Sequence, residues 1–205
     1  MPDAPDPTRA ARPGGFDGVT GRVAARIMAR LNADMERAAL DALDPQPGDR
    51  VLVIGFGPGV GIAELLRRVP DATVVGIDPS TAMVRAATRR LPAGAAVELL
   101  PEPLETLEAT GPPFDRAVAV NCHQCFAPHD VALAHLRGVL VGGGRFVSLT
   151  HDWAIEKHQP VPAWRRGVEQ DAATAGFSAP AWSAGRYRSG AATQLVLTAS
   201  HRAEG

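Results

Sequence analysis

The chain has 205 residues, 45% of them apolar, with 21 basic against 22 acidic side chains and a formal net charge of −1. That balance supports one domain with a sizeable core and excludes a largely disordered chain. With no basic stripe and no apolar run long enough to span a bilayer, it also argues against nucleic acid or a membrane as partner.

Residues 1–15, rich in Pro, Ala, Gly and charge, are expected to form a disordered tail. Residues 16–205 should form a single domain whose first part, 16–47, is a helical lid. Within it Val23, Ile27, Leu31, Met35 and Leu43 recur at helical spacing over 20–43. Asp44-Pro45-Gln46-Pro47-Gly48-Asp49 stops that helix, because proline cannot continue it. Arg50-Val51-Leu52-Val53-Ile54 then reads as a strand buried on both faces. A glycine-rich turn follows, Gly55-Phe56-Gly57-Pro58-Gly59-Val60-Gly61, and a helix to about residue 69.

Further strands are predicted at 72–77, 96–100, 116–120 and 145–149, the last entered through Gly142-Gly143-Gly144. Helices are expected at 80–91, with Ser80 or Thr81 near its N-cap, at 130–140 and at 163–175. Strands at 181–188 and 192–200, joined by a short Ser189-Gly190 connection, should form an antiparallel hairpin at one edge. The expected fold is therefore α/β: a doubly wound, Rossmann-like, mostly parallel sheet.

The informative unit is strand, glycine turn, helix, strand, acid. Glycine allows positive φ and a close ligand approach, and Asp78, about twenty residues past the turn, is placed to accept ribose hydroxyls. Spacing then sorts the nucleoside ligands. Counting from Gly55 or from Gly57, the third glycine of G-x-G-x-x-G would fall at Val60 or Ile62, so the dinucleotide fingerprint fails. No Gly-Lys-Ser or Gly-Lys-Thr follows the turn, so a P-loop is excluded too.

What stands is Gly55-x-Gly57-x-Gly59, followed by Gly76-Ile77-Asp78-Pro79-Ser80 with Met83, and then residues 114–121 and 136–149. In these residues the chain resembles the class I S-adenosylmethionine-dependent methyltransferases, in particular small bacterial enzymes acting on small molecules. The likeness is strong over 48–150, moderate over the preceding helix through Met28, Arg30 and Asn32, and weak past Asp152. It implies a seven-stranded sheet whose last strand is antiparallel. It also implies S-adenosyl-L-methionine as cofactor and S-adenosyl-L-homocysteine as product.

By that resemblance Gly55, Phe56, Gly57 and Gly59 lie against the methionine part, Asp78 holds the ribose, Pro79 and Met83 flank the adenine, and Asn121 passes beneath the cofactor. Two departures stand out. Such families usually carry an acid two residues before the first glycine, where this chain has Val53. The acid expected after the third strand falls among prolines, as Glu102 in Leu100-Pro101-Glu102-Pro103-Leu104.

Substrate-facing groups should follow the fourth and fifth strands, because open α/β sheets bind ligands beyond the carboxyl ends of their strands. His123 and His151 are accordingly the expected catalytic bases, with His158 a third candidate. Trp153 and Trp164 are candidates for the wall of an acceptor pocket or for plain core cover. Cys122 and Cys125 lack a second Cys pair, so they read as free thiols beside the pocket, with no metal expected.

The expected activity is methyl transfer to an oxygen or nitrogen of a small molecule, in the cytoplasm, with a homodimer left open. Two alternatives stand beside it. One is a cofactor-retaining reaction such as cyclisation or decarboxylation. The other is a non-catalytic partner protein of the same fold.

Overall fold

The computed structural model describes residues 32–108 and 111–201. The expected tail, the first half of the lid (16–31), and Met28 and Arg30 lie outside them.

The first described helix, α1 (Ala33–Leu43), buries Met35, Ala39, Leu40 and Leu43 on one stripe. Asp44 ends it in a left-handed conformation (φ 51°), donating its N–H to Leu40 O just before the two prolines. Three βα units follow: β1 (Arg50–Ile54) with α2 (Val60–Arg68), β2 (Thr73–Ile77) with α3 (Thr81–Thr88), and β3 (Val97–Leu100) with a 3-10 turn. Then come β4 (Phe114–Val120), α4 (His129–Val139), β5 (Leu140–His151), α5 (Asp152–Glu156) and α6 (Val161–Ala175). The hairpin β6 (Ala181–Tyr187) and β7 (Gly190–Thr198) closes the order.

The sheet has seven strands in the order β3-β2-β1-β4-β5-β7-β6. Strands β1 to β5 pair parallel, and β7 pairs antiparallel with both β5 and β6. The doubly wound sheet and its antiparallel last strand are as the sequence led us to expect.

Alternation along each strand splits the core in two. Leu52 and Ile54 face a cluster with Phe114, Phe146, Leu133, Leu136 and Trp164, beneath α4 and α6. Val51 and Val53 face the other cluster, with Met35, Leu40, Ile62 and Leu65, beneath α1 and α2. Single βα units reverse the strand order between β1 and β4, and that reversal opens a crevice at the carboxyl edge of the sheet.

One predicted boundary shifts and one helix is added. Strand β5 already begins at Leu140, because a register shift against β4 between Phe114 and Arg116 absorbs the glycine run. Helix α5 was not expected: five residues starting at a strand end are too few to show a period.

Helix α1 is tied down from two sides. Arg68 of α2 pairs with Asp41 at 2.6 Å, and Asp34 accepts the Arg188 N–H at 2.9 Å from the β6–β7 turn. Exposed ion pairs are each worth less than about 1 kcal/mol. The apolar stripe carries the helix, and these contacts set its angle.

Candidate functional site

A cavity of about 360 Å³ opens at the carboxyl ends of β1, β2 and β4, a volume suited to a drug-sized ligand. Its floor is the turn after β1. Gly55, Phe56 and Gly57 line it, and the Gly57 N–H donates to Asp78 Oδ2 at 2.9 Å. Asp78 Oδ1 accepts from the Ser80 N–H at 2.9 Å, so both carboxylate oxygens are held at the end of β2. Burial pushes the Asp78 carboxyl above its usual range, against the two backbone N–H groups that pull it down.

Pro79 and Met83 continue the wall on that side. The Ser80 hydroxyl caps α3 by accepting from the Met83 N–H at 3.4 Å. Glu102, set among its prolines, also reaches the wall, with Glu105 close by. Beyond β4, Asn121 sits at φ 55°, a conformation asparagine tolerates better than most residues. Its side chain accepts the His151 N–H at 3.0 Å and so ties the ends of β4 and β5 together beside the cavity.

Gly59 stands apart from the other glycines of the turn. It caps α2 at φ 79°, and a methyl there would lie 2.9 Å from Ala87 Cβ and 3.1 Å from Ala87 Cα. Gly57 has φ 53° and nothing within 4 Å of an added methyl. Gly59→Ala is therefore expected to lose about 2–3 kcal/mol of stability, and Gly57→Ala about 1 kcal/mol. Denaturant midpoints of the two variants check this, and equal losses would refute the distinction. The empty space over Gly57 is where a ligand pressed against the turn would lie.

The two expected bases are not on the cavity wall. His123 is 0% exposed. It stacks on His129, packs against Phe146 and Trp164, and hydrogen-bonds Ser148 through Nδ1 and His129 through Nε2. His129 Nδ1 meets Asp171 Oδ2 at 2.7 Å. One consistent proton order has Ser148 donating to His123, His123 to His129, and His129 to Asp171. Burial, and then the neighbouring His129, hold the His123 imidazole well below its usual pKa.

His151 is 1% exposed and is spent on the hairpin, with Nε2 at 2.8 Å from Ser189 Oγ and Nδ1 facing Ala191 O. His158 is exposed between α5 and α6 and does not line the cavity. None of the three candidate histidine bases therefore lines the cavity, because each ring lies elsewhere. Trp164 is core cover, and half-exposed Trp153 stacks on His151 away from the cavity. Both thiols do line it. Cys122 donates to Ile54 O at 3.1 Å, and burial pushes its thiol pKa up, so it is no ready nucleophile. Among the described residues no three potential ligands cluster for a metal, and no helix is long and apolar enough to cross a membrane.

Two acids of the wall, Glu36 and Glu105, were missed. Glu36 of α1 lines the cavity, and burial raises its carboxyl to about pKa 8. The signal was present, since Glu36, Ala39, Leu40 and Leu43 recur at helical spacing and an acid on an apolar stripe needs a reason.

Residues 51–144 match the family described as "Methyltransferase domain". The chain is 28% identical over 157 residues to the uncharacterized methyltransferase YdaC of Bacillus subtilis (strain 168), covering 76% of this chain and 86% of that protein. It is 30% identical over 170 residues to trans-aconitate 2-methyltransferase of Methylobacterium radiotolerans, covering 74% of this chain and 59% of that one. The chain spans between 28% and 59% of the length of most curated relatives it matches. Among solved structures, magnesium protoporphyrin IX methyltransferase of Synechocystis PCC 6803, crystallised with S-adenosylmethionine, superposes with a TM-score of 0.64. That likeness is at 21% identity and covers 85% of this chain and 81% of the other.

Proposed function

We propose that the chain, whose residues 51–144 match a methyltransferase domain, is a class I S-adenosylmethionine-dependent methyltransferase that transfers the cofactor's methyl group to an oxygen or nitrogen of a small molecule. One observation carries this reading: the Gly55–Gly57 turn, Asp78 and Asn121 surround a single cavity.

The residues present fit the cofactor. The space over Gly57 admits a ligand against the backbone, and the Asp78 carboxylate, though it already accepts two backbone N–H groups, keeps lone pairs for ribose hydroxyls. Met83 and Phe56 offer apolar surface for an adenine, and Glu102 a polar partner at its edge. Bound there, S-adenosylmethionine supplies an electrophilic methyl group on a sulfonium.

The chain's own contribution is orientation and exclusion of water. Phe126, Leu104 and Val120 wall the cavity with apolar surface, and a fixed in-line approach can supply much of the acceleration. Among the described residues the wall bears Glu36, Asp78, Glu102 and Glu105 and no Lys, Arg or His. Such a wall favours an uncharged or cationic acceptor.

The test is calorimetric titration with S-adenosylmethionine, followed by mass spectrometry of incubations with phenols, alcohols and amines. Production of S-adenosylhomocysteine in step with a methylated acceptor is expected. Conversion of an acceptor without S-adenosylhomocysteine would favour a cofactor-retaining reaction, and no binding would sink the proposal. Cys125, exposed at the rim, gives a second readout. Maleimide labelling of its thiol should slow several-fold in the presence of S-adenosylhomocysteine, and an unchanged rate would place the ligand elsewhere.

A further inference from the structure

Of the acids on the cavity wall, Glu36 alone comes from α1, on the opposite side of the glycine turn from Asp78, Glu102 and Glu105. Glu36 projects from α1 to the first turn of α2, where a methyl added at Gly61 would run into its carboxylate. The residue is half-buried, and among the described residues its carboxylate makes neither a hydrogen bond nor an ion pair. By contrast Asp78 is held by two backbone N–H groups, and Glu64 of α2 is bound by Arg67 and Arg68. An unpaired acid in a desolvated place costs stability, and burial alone raises its carboxyl to about pKa 8. Such a cost is commonly kept where a cation is to be received.

The sheet order says which cation. Asp78 ends β2 and Glu102 follows β3, so a nucleoside held by them lies over one side of the glycine turn. Helix α1 packs across α2, β4 and β5, on the other side. A ligand with its ribose on Asp78 and its chain laid over Gly57 therefore runs its far end toward Glu36. In S-adenosylmethionine that far end is an α-amino acid, whose ammonium group is a cation of the right kind. Val53 is 5% exposed within the apolar cluster, so β1 offers no carboxylate from beneath.

We propose that Glu36 is the cofactor's ammonium-binding residue, supplied by the helix that packs over the glycine turn. This rests on the cofactor reading above. Asn32, one helical turn earlier and also on the wall, can hydrogen-bond the same amino-acid end. Helix α1 then carries a binding residue as well as covering the core.

Calorimetry on the full chain separates the possibilities with three ligands: S-adenosylmethionine, S-adenosylhomocysteine and 5′-methylthioadenosine, which lacks the amino-acid end. Glu36→Gln should weaken the first two by about ten- to a hundredfold, the range for one hydrogen bond to a charged group. It should leave 5′-methylthioadenosine binding unchanged, which also shows that the variant folds. Unchanged S-adenosylhomocysteine affinity would overturn the proposal, and loss of S-adenosylmethionine alone would overturn it by assigning the carboxylate to the sulfonium. Equal loss of all three ligands would overturn it as well. If the unsubstituted protein bound none of them, the cofactor reading itself would fail.

Discussion

Asp78→Ala should weaken S-adenosylmethionine and S-adenosylhomocysteine binding by about a hundredfold or more. Each hydrogen bond to a charged group is worth about 1.5–3 kcal/mol, and a ribose offers two hydroxyls to this carboxylate. The substitution also strips the Gly57 and Ser80 N–H groups of their acceptor, so the turn that should lie against the ligand loses its anchor. Asp78→Asn keeps oxygen for one of those groups and removes the charge. Its effect on stability should run the other way.

The Asp78 carboxyl is raised above 3.8 by burial, so between that pH and the raised value the folded chain holds more protons than the unfolded one. The stability tied to this proton is complete below pH 3.8 and is lost as pH rises through the folded pKa. At neutral pH the ionised group therefore costs stability, and Asp78→Asn without ligand should unfold at an equal or higher denaturant midpoint. Calorimetry and denaturant melts on the two variants test both halves. Unchanged affinity in Asp78→Ala would remove the nucleoside site from the end of β2.

His123→Ala should cost about 3 kcal/mol of unfolding free energy. The ring is fully buried among Phe126, Phe146 and Trp164, so its loss leaves a cavity. It also leaves Ser148 and His129 without their partner. Burial depresses the imidazole pKa, so below pH 6.5 the unfolded chain binds a proton that the folded one refuses. Stability from this group is therefore present above pH 6.5 and is lost as pH falls toward the folded pKa. Denaturant melts at pH 7.5 and 5.5 should show a drop in the unsubstituted protein that His123→Leu flattens. A variant that kept its midpoint but lost turnover would restore His123 to the chemistry.

The difference between the two residues explains what was legible beforehand. Asp78 was readable because its role follows from local order: a buried strand, an acid at its end, and a glycine turn about twenty residues earlier. His123 sits in an equally suggestive place, directly after β4, and the same rule pointed to it. The rule fixes only where a Cα lies relative to the sheet edge. The side chain turns to whichever side has partners, and His129, Ser148 and Asp171 come from α4, β5 and α6. Glu36 shows the converse, since helical periodicity placed its neighbours in the core but did not show that the stripe ran past the core into a cavity.

The sequence by itself determined the alternation of strands and helices, the antiparallel last strand, the glycine turn and the acid that answers it. All of these depend on periods and spacings within about thirty residues, and backbone geometry enforces those wherever they occur. Only the tertiary structure decided that His123 and His151 are buried away from the cavity, that Glu102 reaches its wall despite two prolines, and that Glu36 stands there unpaired. Those outcomes depend on packing between elements far apart in the chain, where small changes of helix angle settle which side chain meets water, a ligand or the core.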